Sequence, residues 1–148
     1  MTHALITRLL TEFGYDEISL DNVDQFVSQP GMNVLFFPGD PTTVKDATDV
    51  AVVLPELVAA FDNRLTVGVV TDVFGDGVKL QRRYGFRKYP SLVFLRDGDY
   101  VGTISRIQDW ADYLQQIAAL MTAAPTRPPG FAIPVVVESA DGGGRATQ

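Results

Sequence analysis

Three carboxylates fall within ten residues, at Asp40, Asp46 and Asp49, between an apolar run ending at Phe37 and a helical pattern. Carboxylates so close together can gather a hard cation, which takes oxygen ligands, or receive guanidinium groups through paired hydrogen bonds. The plainer use of an aspartate ahead of a helix is to cap it; Asp46 or Asp49 is expected to do so, the others being solvated. Other chemistries find little material. The chain contains no cysteine, which removes disulfides, thiolate metal ligands and every thiol mechanism. His3 is the single histidine and stands at the N-terminus, which leaves nothing to build a histidine triad or zinc site from. Gly75-Asp-Gly77 lacks the Lys-Ser/Thr partner of a phosphate cradle. Ser91 and the aspartates form no nucleophile–base constellation. No catalytic residue, metal or cofactor is expected, and the chain is read as a binding protein rather than an enzyme.

Charge narrows the class of partner. The formal net charge is −6, whereas a nucleic-acid binder usually carries a basic face. The excess is concentrated: residues 1–62 hold ten acidic and two basic side chains, and residues 63–108 four acidic and eight basic. A half this acidic attracts a basic peptide segment, although it also serves simply to keep the molecule soluble. Apolar runs such as Ala51–Leu54 are too short to span a bilayer. No basic segment followed by an apolar stretch opens the chain, so no secretory signal is expected.

The elements that must position these residues follow from apolar spacing and from stop signals. Ala4–Phe13 carries Leu5, Ile6, Leu9, Leu10 and Phe13 at helical spacing ahead of Gly14. Tyr15–Ser19 is a short strand, and Asp21 is expected to cap a helix running to Gln29. Val34–Phe37 is a strand stopped by Pro38-Gly-Asp-Pro41. Asp46–Phe61 is a long helix with Pro55 inside it, where the missing N–H should kink it. Leu65–Thr71 is the next strand; Gly75 and Gly77 mark a loop before a helix closed by Tyr84-Gly85. Pro90 opens the buried strand Leu92–Leu95, and a cis Tyr89-Pro90 bond would allow that sharp approach. Asp97-Gly98 is a hairpin turn into Asp99–Ser105. Asp109 should cap a last helix to about Met121, with Trp110 beginning its inward stripe. The domain is expected over 1–123, and 124–148, rich in proline and glycine, as a mostly disordered tail. Within that tail Phe131–Val137 is apolar enough to dock on a surface or a sheet edge.

This order gives an α/β domain with a central mixed sheet flanked by helices and an extra N-terminal helix. Over residues 15–122 it resembles thioredoxin, through Pro55 in the long helix, Val70-Thr71-Asp72 ending a strand, Tyr84-Gly85, Pro90 and Asp97-Gly98. The window that holds the Cys-x-x-Cys pair in thioredoxins is here Ala47-Thr48-Asp49-Val50, so dithiol exchange is ruled out chemically.

A narrower resemblance rests on the acidic loop Pro38–Pro41, the run Tyr84–Phe94, Asp99-Tyr-Val-Gly102 and Asp109-Trp110-Ala111. Together these resemble the cysteine-free, thioredoxin-like hydrogenase-expression family of the HyaE, HupG and HoxO type. The resemblance implies a cytoplasmic accessory chaperone in maturation of a membrane-bound nickel-iron uptake hydrogenase. Its implied partner is the small-subunit precursor, with its twin-arginine signal peptide, bound before export. The alternative is a general thioredoxin-like interaction scaffold without redox activity. A receptor for such a peptide needs carboxylates beside an apolar groove. That surface is expected to join Asp40, Asp46 and Asp49 to Phe86, Tyr89 and Pro90. Arg87-Lys88 opposes this unless it points away, and the cluster Asp16, Glu17, Asp21 and Asp24 is the rival surface.

Overall fold

The computed structural model describes residues 3–129; the expected docking segment Phe131–Val137 lies outside the described residues. Ten elements follow one another: α1 (Ala4–Thr11), β1 (Asp16–Ile18), α2 (Val23–Val27), β2 (Met32–Phe37), α3 (Ala47–Ala60), β3 (Leu65–Val70), α4 (Asp76–Tyr84), β4 (Ser91–Arg96), β5 (Asp99–Ser105) and α5 (Trp110–Thr122). The sheet order is β1-β3-β2-β4-β5. Strands β1, β3 and β2 run parallel, whereas β4 is antiparallel to both β2 and β5. The thioredoxin-like mixed sheet with an added N-terminal helix is therefore the fold of this chain.

Strand alternation divides the core. Val34 and Phe36 of β2 and Leu92 and Phe94 of β4 face a cluster closed by Ile6 and Leu9 of α1, Leu54 and Leu57 of α3, and Tyr113 and Ile117 of α5. Leu35, Phe37, Val93 and Leu95 face the other way, against Phe26 of α2 and Leu80 and Tyr84 of α4. Because β2 and β4 are central and covered on both sides, they read as unbroken apolar runs. Gly68 belongs to this packing, since a Cβ there would lie 2.5 Å from Ile18 Cγ1 and 3.0 Å from the Phe26 ring.

The turns are those the residues specify. Asp97 and Gly98 both take positive φ, 54° and 93°, as a two-residue hairpin turn requires. Gly85 ends α4 in the left-handed region. Tyr89-Pro90 is cis. Several local expectations need correction. Asp21 does not cap α2: Asn22 holds that position, and its side chain instead ties Ser19 N and Glu17 O across the β1 turn. Asp46 and Asp109 do stand at the N-cap positions of α3 and α5, but neither side chain bonds a helix amide. Gly77 lies within α4, its N–H donating 2.8 Å to Asp72 O, where a Cβ would crowd that same carbonyl. Trp110 is 43 % exposed rather than core. As the first residue of α5 it starts beyond the end of β5, so the inward stripe begins one turn later, at Tyr113.

The segment that follows α5 is tied down. The Arg96 guanidinium donates to Leu120 O and Met121 O, both at 3.2 Å, and to Ala123 O, closing the C-terminus of α5. Thr126 N then donates to Tyr100 O at 2.9 Å, so the first residues past 123 run beside β5.

Candidate functional site

Strands β1, β2, β3 and β5 all finish at the end of the sheet where β4 begins, and α2 to α5 all start there. Aspartates gather at this end partly because helix N-termini favour negative charge: Asp24 in α2, Asp49 in α3, Asp76 in α4 and Asp112 in α5 each sit in a first turn. A functional reading must therefore rest on more than acidity.

Asp40 meets that demand best. After β2 the chain breaks out through Pro38 and Gly39, and Asp40 folds the loop over itself. Its Oδ1 accepts Thr42 N at 3.0 Å and Thr42 Oγ1 at 2.8 Å, while its carbonyl accepts Val44 N at 2.7 Å. The Thr42 amide, then the Thr42 hydroxyl, hold the Asp40 carboxyl below the usual carboxylate range. Asp40 lines a cleft of about 190 Å³ together with Pro38 and Pro41, Asp72 and Phe74 from the loop after β3, and Ile6 of α1. Phe74 is 77 % exposed.

The cis-proline turn adjoins this loop through Gly39. A Cβ on Gly39 would lie 2.8 Å from Tyr89 Cγ, so the Tyr89 ring lies directly on that glycine. Tyr89 is half-buried and donates its hydroxyl to Gln81 Oε1 at 3.0 Å, and burial pushes its phenol up. Pro90 O accepts Arg106 N at 2.6 Å, and Ser91 Oγ lies 2.8 Å from Ser105 Oγ, which links the turn to the end of β5.

The expected constellation is thus brought together only in part. The Asp40 loop and Tyr89 are neighbours, and Pro90 is buried beneath the turn. Phe86 is also buried, its ring 4.7 Å from Phe37 and 5.5 Å from Tyr89, so it supports Tyr89 from below. Asp46 and Asp49 belong to the start of α3, on the opposite face of the sheet from Phe86. The Asp46 charge reaches Tyr113 of α5, adding to the burial that pushes that phenol up. Among the described residues no three His, Cys, Asp or Glu side chains come close enough to hold a metal ion, so Asp40, Asp46 and Asp49 do not form a cation site. Arg87 and Lys88 are exposed and do not line the Asp40 cleft.

The rival acidic cluster is dispersed. Glu17 accepts the Thr71 hydroxyl, and Asp24 accepts Arg83 Nη1 at 2.8 Å. Asp16 borders a groove of about 370 Å³ with Asn22, Gln25, Gln29 and Phe26; it is larger than the Asp40 cleft, but its rim is carboxylamide and the one aromatic in it, Phe26, is buried in the core. Sequence reasoning missed Phe74, Asp72 and the exposure of Trp110. The available signal was a lone aromatic in a loop between a strand end and a Gly-Asp-Gly, where burial has no partner to offer.

Comparison with known proteins adds an independent line. The model of the family described as hydrogenase-1 expression protein HyaE matches residues 5–113. A hydrogenase expression/formation protein HoxO of Azotobacter vinelandii is 46% identical over 121 residues, covering 82% of this chain and 80% of that protein. A HupG protein of Rhodobacter capsulatus, with the same description, is 41% identical over 125 residues, covering 82% and 88%. A crystal structure described as hydrogenase expression/formation protein hupG from Rhodopseudomonas palustris CGA009 superposes with a TM-score of 0.51 at 38% identity, covering 71% of this chain and 93% of that one.

Proposed function

We propose that this chain, which belongs to the hydrogenase-1 expression protein HyaE family, is a cytoplasmic accessory chaperone that binds a hydrogenase small-subunit precursor through its twin-arginine signal peptide before export. A role in hydrogenase expression and formation comes with the family; the partner and the peptide are the proposal. The observation that carries it is the pairing of a thiol-free thioredoxin-like frame with an acidic, partly apolar cleft beside the cis-proline turn. A frame without a thiolate has no exchange chemistry to offer, so its use is to bind. A twin-arginine peptide presents guanidinium groups followed by an apolar stretch, and Asp40 with its apolar neighbours offers the complement. Among the described residues no helix is long and apolar enough to cross a membrane.

The test is co-purification from cells expressing a hydrogenase operon. The tagged chain should retain the small-subunit precursor and lose most of it when the precursor's signal peptide is removed. Equal capture of precursor and peptide-free subunit would place recognition on the folded subunit instead. Capture of neither, with an unrelated complex retained, would favour the general scaffold.

A further inference from the structure

We infer that Phe74 is the apolar anchor of the peptide cleft, with Asp40 and Asp72 as the carboxylates flanking it, so that the seated segment is extended and carries arginine a few residues from a large apolar side chain. The inference rests on the peptide-binding reading above and assigns its contacts to residues outside the expected set. Among the described residues Phe74 is the most exposed of the large hydrophobic side chains, at 77 %, and those lining the cleft it borders include two aspartates and no lysine or arginine. Its volume of about 190 Å³ is below the roughly 300–1,000 Å³ of a small-molecule pocket. It fits one or two side chains of a peptide better than a whole metabolite.

The two carboxylates are available in different degrees. Both Thr42 bonds fall on Asp40 Oδ1, which leaves Oδ2 open toward a guanidinium. Asp72 accepts Gly75 N at 3.1 Å and Asp76 N at 3.0 Å, one on each oxygen, so its main work is to shape the start of α4. It contributes charge more than a new bond. These bonds also fix the loop that presents Phe74, so the ring projects from a tied turn. Covering a phenyl ring gains more than any surface ion pair alone, which makes Phe74 the residue whose loss should be felt most.

The experiment titrates a fluorophore-labelled synthetic peptide, two adjacent arginines followed by an apolar stretch, with the full chain and its Phe74→Gln and Asp40→Asn variants. Both sites are at the surface, so the folded state should persist, checked by circular dichroism. F74Q should weaken binding about tenfold, and D40N should weaken it less while flattening its salt dependence. A peptide with serine in place of the apolar stretch should bind wild type weakly, and F74Q should then cost nothing more. Unchanged affinity in F74Q, with wild type binding, overturns this inference and leaves the proposed function standing. No peptide binding to wild type overturns both. Ile107 and Trp110 are a second pair of exposed apolar side chains, and Trp110 is the sole tryptophan: a blue-shifted emission on binding, with F74Q unaffected, would put the peptide there and overturn the assignment to Phe74.

Discussion

Gly39 shows how much a single residue decides at this site. Its φ of 74° lies in the left-handed region, which costs an L side chain about 1–2 kcal/mol. A Cβ would also meet the Tyr89 ring at 2.8 Å. Gly39→Ala should therefore lower stability by about 2 kcal/mol in urea denaturation and displace Tyr89 from Gln81. A loss below about 0.5 kcal/mol would mean that the loop and the turn are not in contact as described. Asp40 next to it carries a pH expectation. Its folded carboxyl is held below the ordinary range by Thr42, so it stays charged after ordinary carboxylates protonate. Arginine-peptide binding that depends on Asp40 should persist as pH falls through the usual aspartate range, near 4, and fail only below it. Binding in the D40N variant should lack that low-pH step. Neither Gly39–Tyr89 packing nor the Thr42 bonds were legible in the sequence, because each joins residues through loop geometry that no periodicity encodes.

At the scale of elements, the sequence was most readable where signals are local. Asp97-Gly98, Tyr84-Gly85 and the apolar runs of β2 and β4 each carry their cause within a few residues, and each appears where expected. Failures came where an element's end depends on a distant partner. Asp46 and Asp109 sit at caps without capping, Trp110 is exposed at the start of α5, and Phe86 is claimed by Phe37 in the core. The C-terminus of α5 is the clearest case, since its carbonyls are satisfied by Arg96 from β4. Replacing Arg96 by Met keeps much of the stem and removes the donors. The variant should lose about 1–3 kcal/mol, with faster hydrogen exchange at Ala123 and Thr126. Unchanged exchange at Thr126 N, which donates to Tyr100 O, would show that the segment past α5 is held independently of the arginine.

On the scale of the whole molecule, a fold associated with thiol exchange is here built without a thiol, so its chemistry and its stability can be probed separately. The protein should leave insulin reduction by dithiothreitol at the buffer rate, because thiolate is the attacking group in that reaction; any acceleration by purified material would contradict a binding role. Stability should respond instead to alkali. Burial raises the phenol pKa of Tyr84, Tyr89 and Tyr113, groups spread over both faces of the sheet. A phenol raised in the folded state favours folding fully while it is neutral in both states, below the ordinary value of about 10. Above that value the unfolded chain ionises first, so stability falls as pH climbs toward the folded values. The urea midpoint should stay level up to about pH 9 and drop beyond about pH 10, with phenolate absorbance rising alongside unfolding. Tyr113 isolates the effect. It is 1 % exposed, and its hydroxyl donates a long 3.4 Å bond to Arg106 O, so Tyr113→Phe should cost less than about 1 kcal/mol at neutral pH. With one fewer phenol to ionise on unfolding, the variant should hold its structure to higher pH than wild type. An alkaline midpoint that does not move would mean that Tyr113 ionises as readily folded as unfolded, and that the α5 face of the core is open to water.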